Sequence, residues 1–117
     1  MKIVEAGRAK REKRSGGIFT GTVEVTSLVD AEMGSKEFRA AVVTFPPGVK
    51  NKFHVHDHEQ LLYVVDGRGV VATEKEERIV GVGDMIMIPA GERHWHGATE
   101  DSRFSHLYIT DAETKTL

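Results

Sequence analysis

The stretch that decides the fold runs from Gly48 to Gly67, "GVKNKFHVHDHEQLLYVVDG". Within it, "HVHDHEQ" (54–60) gathers three of the chain's six histidines, two carboxylates and a carboxamide into seven residues. In an extended strand, residues i and i+2 point the same way. His54 and His56 therefore present two imidazoles on one face, with Cα atoms about 7 Å apart. Two neutral imidazoles converging on one point are the usual beginning of a transition-metal site. A histidine pair on a strand can equally be a surface feature, so the pair alone leaves the matter open. Strict alternation would turn His58 inward as well, which makes it a rival to Gln60 for a further ligand position.

Outward from this stretch, the punctuation is that of a β protein. Twelve glycines and three prolines separate short runs rich in Val, Ile, Thr and Phe. Strands are expected at 18–25, 37–45, 52–65, 70–75, 78–84, 85–92 and 103–110. "PPG" (46–48) closes the second of these, and "DGRG" (66–69) reads as a hairpin turn. The only helical candidate is a short turn around 28–33. Eight or so short strands in 117 residues imply a sandwich or small barrel.

Composition narrows the classes of function. A chain of 117 residues is expected to form one domain, 1–117, with an N-terminal arm over about 1–17. With 39% hydrophobic and 29% charged residues it reads as an ordinary soluble protein, and cytoplasmic location is expected. No apolar run suits a signal peptide or a membrane span, so no membrane partner is expected. The net charge of -2 gives no overall reason to expect nucleic acid. "RAKREKR" (8–14) carries five basic residues, but no aromatic residue is interleaved for base stacking, and it reads as a solvated arm. The absence of cysteine excludes disulfides, thiolate metal sites and cysteine nucleophiles. "GVGD" (81–84) lacks the strand-to-helix context of a phosphate loop, and no serine sits in a nucleophile-elbow pattern.

Two spaced motifs lift the histidine pair above chance. The first, 48–67, reads Gly48, His54, Val55, His56, Gln60, Gly67. The second, 83–98, reads Gly83, Pro89-Ala90-Gly91, His94 and Ala98. In order and spacing they resemble the two motifs of the cupin superfamily, and the resemblance covers about residues 40 to 110. Gln60 stands where the family pattern has Glu, and Ala98 where it has Asn. The wording "HEQ", "PAGERHWHGA" and "SHLYI" is similar to the small single-domain cupins associated with carboxymuconolactone decarboxylases.

The resemblance implies an all-β double-stranded β-helix, a jelly-roll barrel, and a homodimer. It also implies one divalent transition-metal ion (Mn, Fe, Ni, Cu or Zn) held by His54, His56, Gln60 and His94, with position 60 preferred over His58. Three imidazoles and an amide oxygen are all neutral, so such an ion keeps its full charge. It should favour a small anionic partner such as a carboxylate, enolate or diketonate. His96 and His106 are the candidate catalytic groups for moving protons. Glu59 alternates away from the histidine face, while Phe53, Tyr63, Met85, Met87, Trp95 and Phe104 read as packing residues. The expected function is a metal-dependent enzyme, dioxygenase-like or else decarboxylase- or isomerase-like. A binding or sensing module without turnover is the alternative.

Overall fold

The computed structural model describes residues 1–117 and contains eight strands and one 3-10 turn, Ala6–Arg8. The strands are β1 (Arg11–Arg14), β2 (Val23–Val29), β3 (Phe38–Phe45), β4 (Gln60–Thr73), β5 (Glu77–Gly81), β6 (Met85–Ile88), β7 (His94–Ala98) and β8 (Phe104–Asp111). Every pairing between them is antiparallel. The hydrogen-bonded order is β1-β2-β3-β8-β4-β5, and β6 and β7 also pair with β4. No helix is long and apolar enough to cross a membrane.

The long strand β4 organises this all-β barrel. Its first half, from Gln60, lies between β8 and β6, and its second half lies between β5 and β7. The change of neighbours coincides with a register shift between Val64 and Asp66. Gly67 follows at φ 71°, and a Cβ there would lie 1.8 Å from the Arg103 carbonyl oxygen. Only glycine lets the strand bend at that point while Arg103 passes so close. The Arg103 guanidinium meets the Asp66 carboxylate at 2.7 Å and spans the bend.

Alternation along the strands separates an inner face from an outer one. Val23 and Val25 of β2, Ala41, Val43 and Phe45 of β3, Val64 of β4 and Phe104 of β8 pack into one buried core. In register across β3, β8 and β4 stand the rows Val43–His106–Val64, Ala41–Tyr108–Leu62 and Arg39–Thr110–Gln60. The inner face thus grades from apolar at one end to polar at the other. That gradient positions the site.

Several local expectations are corrected. "DGRG" lies within one 14-residue strand, because the chain there, just past the irregularity between Val64 and Asp66, is re-aimed without being reversed. Residues 52–59 are extended but are not a regular strand, touching neighbours through isolated bridges at His54 and His56. The strand expected from residue 18 begins at Val23 and extends to Val29, and the turn expected around 28–33 is a non-helical hydrogen-bonded turn at 31–34. Arg11–Arg14 of the basic arm pair with β2 as an edge strand while most of their side chains stay exposed. Phe53, Tyr63, Met85 and Met87 are exposed instead of packed inside, whereas Phe104 is fully buried. Trp95 lies half-buried, with the Lys50 ammonium 4.4 Å from the centre of its ring.

Candidate metal centre and its cavity

His54 and His94 are directly opposite in a two-residue antiparallel bridge, each backbone N–H donating to the other's carbonyl at 3.0 and 3.1 Å. Their rings lie 4.3 Å apart, centre to centre. His56 joins them at 4.8 Å from His54 and 5.2 Å from His94. One ligand atom from each of these three histidines lies within 4.8 Å of the others. The extended segment 53–56 and the start of β7 therefore bring together residues 38 to 40 positions apart in sequence.

The hydrogen bonds define which nitrogens are available. His54 Nδ1 donates to the Lys52 carbonyl at 2.7 Å, and His94 Nδ1 donates to the Glu92 carbonyl at 2.9 Å. A carbonyl can only accept, so both Nδ1 atoms carry the proton and both Nε2 atoms present a bare lone pair. His56 Nδ1 lies 3.2 Å from the Thr116 hydroxyl, reached across 60 residues of sequence. Nε2 of His56 and of His94 is buried and has no partner, and the same holds for Gln60 Oε1. Buried polar atoms left unpaired are costly, and three converging neutral imidazoles with an unpaired carboxamide oxygen lining the same cavity are the chemistry of a divalent transition-metal site. The residues present fit such an ion.

Burial keeps the cluster unprotonated. It pushes His54 and His94 below the ordinary imidazole range. It pushes His56 down to about 4, with repulsion from His54 and His94 adding to the effect. His58 goes the other way. It is partly exposed, its Nδ1 lies 2.8 Å from the Asp57 carboxylate, and that partner raises it. A bend at Asp57 and His58 breaks the alternation that would have turned His58 inward. Glu59 is exposed.

Further along the inner face, the rings of His96 and His106 pack against Phe45, and that of His106 also packs against Phe104. His96 is buried and its ring stands 5.9 Å from that of His94 and 4.8 Å from that of His106. Asn51 anchors it, accepting the His96 backbone N–H at 2.8 Å. That contact depends on Gly97, where a Cβ would come within 2.4 Å of the Lys50 Cα. His106 is 1% exposed and has no partner for either ring nitrogen. Burial lowers His106 to about 4 and holds His96 well below the ordinary range. A cavity of about 210 Å³ opens onto His54, His56, Gln60, His96 and His106. Asn51, Thr116 and the carbonyls of Lys52 and Glu92 carry no sequence signal that links them to the histidines they hold.

A cupin domain model matches residues 41–110, well over half of the chain. The chain belongs to the cupin family. It is 34% identical to an (R)-mandelonitrile lyase of Granulicella tundricola over 95% of this chain and 85% of that protein. It is 31% identical to an acireductone dioxygenase of Pseudomonas aeruginosa over 85% of this chain, which spans about half (51%) of that longer protein. A cupin-like protein from Thermotoga maritima superimposes on this cupin with a TM-score of 0.82, 33% identity, and coverage of 100% and 89% of the two chains. These relatives bear out the small cupin; the narrower likeness to cupins associated with carboxymuconolactone decarboxylases is not among what they carry.

Proposed function

We propose that this cupin is a metal-dependent enzyme in which His54, His56, Gln60 and His94 hold one divalent transition-metal ion. It would act on a small organic molecule that binds through a negatively charged or polarised oxygen. The observation carrying this reading is the cluster of His54, His56 and His94, with His56 Nε2, His94 Nε2 and Gln60 Oε1 each buried and nothing in the chain to pair them. The ion would supply Lewis acidity, stabilising negative charge on a substrate alkoxide, enolate or carboxylate. All four donors are neutral, which keeps the site attractive to anionic oxygen.

The chain's own residues account for proton handling. A neutral imidazole offers one donor and one acceptor. His106, with both nitrogens free, can take the proton of a hydroxyl bound in the cavity and return it to a leaving group. Asn51 fixes His96 beside it, and Phe45 excludes water from the inner end. This arrangement suits cleavage next to a hydroxyl-bearing carbon, and the lyase relative that matches along most of both chains favours a lyase over an oxygenase. Dioxygen chemistry is the second reading, supported by the acireductone dioxygenase matches. Incubating the metal-reconstituted protein with cyanohydrins and hydroxy acids under nitrogen, and with diketones and carboxylates under air, separates the two. Turnover should need the metal, and His106→Gln should lower rate about 100-fold while metal content is kept, in line with the loss of a general acid–base group. Saturable binding without product across both panels would instead favour a sensing module.

The homodimer reading rests on the outer face of the barrel. There Leu61 and Tyr63 of β4 align with Met87 and Met85 of β6 and with Ile109 and Leu107 of β8. Tyr63, Met85 and Met87 are at least 40% exposed, which is a poor surface for a monomer. Sedimentation at micromolar concentration should give twice the chain mass, and Met85→Lys with Met87→Lys should give the single-chain mass; a wild-type monomer would end this part of the proposal.

A further inference from the structure

The polar end of the inner face holds more than metal donors. Arg39 of β3, Thr110 of β8 and Gln60 of β4 stand in one cross-strand row, each paired in register with the next. Two strand spacings, about 10 Å, separate the Arg39 and Gln60 backbones, with Thr110 between them. All three side chains line the same cavity. Each also has a buried polar atom with no partner in the chain: Arg39 Nε, Thr110 Oγ1 and Gln60 Oε1.

The charge balance of the cavity is one-sided. Arg39 forms no salt bridge, and one of its terminal nitrogens donates to the Thr114 carbonyl at 2.7 Å. Arg14 of β1 lines the opening as well, and no aspartate or glutamate lines the cavity. A guanidinium N–H and a threonine O–H, both unpaired and adjacent, are donors waiting for an acceptor. Buried polar groups of this kind are left unpaired by the protein when a ligand pairs them. An arginine fork matches a carboxylate in geometry and charge better than any neutral group.

We propose that Arg39 and Thr110 form a carboxylate-recognition site beside the metal donors, so that the substrate is a small hydroxy- or oxo-carboxylic acid. This inference rests on the metal-enzyme reading above and narrows it. One oxygen of the substrate is placed at the Gln60 end of the row while the carboxylate sits on Arg39 Nε and Thr110 Oγ1. The apolar walls, Val43, Phe45 and Tyr108 among them, accommodate the carbon skeleton. The site distinguishes such acids from cyanohydrins and other uncharged compounds of the same size.

Benzoate and benzamide share a shape and differ in charge, which makes them suitable probes. Both are titrated calorimetrically into the protein in metal-free and zinc-reconstituted form. Benzoate is expected to bind at least tenfold more tightly than benzamide in each form. Arg39→Gln should weaken benzoate at least tenfold, Arg39→Lys and Thr110→Val less so, with benzamide binding and zinc content unchanged. Equal weakening of benzamide in Arg39→Gln, with none in Thr110→Val, would show a displaced C-terminal segment and overturn the proposal. So would benzoate binding that ignores Arg39 in a protein retaining its zinc. If the protein takes up no zinc yet Arg39-dependent benzoate binding persists, the metal reading fails and the carboxylate site stands.

Discussion

The five buried or half-buried histidines of the barrel fall into two groups that differ in how their second nitrogen is held. His54 and His94 each spend Nδ1 on a carbonyl two residues earlier, and His56 has the Thr116 hydroxyl there. Each of the three is thereby oriented, and Nε2 faces the common point. His106, in contrast, has no partner at either nitrogen, while the His96 ring meets the Asn51 amide nitrogen 3.3 Å from Nδ1 and its backbone N–H donates to the same carboxamide. The first group sits at the polar end of the inner face and the second against Phe45 and Phe104. Under the proposed metal reading the anchored imidazoles would serve as ligands, because metal-bound histidines need their other nitrogen fixed. His106, with both ring nitrogens unpaired, is left to pair with whatever enters the cavity.

The largest effect that sharpens this contrast comes from pH. His106 is held at about 4 by burial, against an ordinary value near 6.5. The unfolded chain therefore binds a proton that the folded chain refuses. The stability His106 contributes is complete above pH 6.5, falls as pH drops toward 4, and changes no further below that. The size of the shift corresponds to about 3 kcal/mol. Denaturant unfolding of the metal-free protein should lose this amount relative to His106→Gln between pH 7 and pH 4. Equal losses in both would mean that His106 is solvated and not part of a dry inner end.

A smaller effect tests the anchored group. Thr116→Val removes the hydroxyl beside His56 Nδ1 while keeping shape. Metal affinity should fall about tenfold, the low end of what losing a ligand-orienting partner costs. No change would place Thr116 outside the ligand support, leaving His56 oriented by its backbone alone.

Much of this was legible in sequence, for identifiable reasons. The resemblance of the two spaced motifs to the cupin pattern is what singles out the His54–His56 pair, Gln60 and His94, and the structure brings the three histidines together. β3 and β8 follow from alternation and were expected within one residue of their observed limits. What was not legible depends on contacts between distant segments. "DGRG" has the residues of a hairpin, and only the structure shows that Gly67 instead serves the close passage of Arg103 within a continuous strand. Met85 and Met87 look like core residues because their chemistry is apolar, yet the strand turns them to the outer face. Arg39 lies in an unremarkable "EFRAA", and its meaning comes from the register that sets it beside Thr110 and Gln60.

The division between ligand and pocket histidines is tested most directly by counting coordinated imidazoles. Pulsed electron paramagnetic resonance of the copper(II)-reconstituted protein detects the remote nitrogen of each bound ring. Three coordinated imidazoles are expected in the wild type, two in His94→Ala, and three in both His106→Gln and His58→Ala. Loss of an imidazole signal in His106→Gln or His58→Ala, with three retained in His94→Ala, would contradict the assignment of the metal centre.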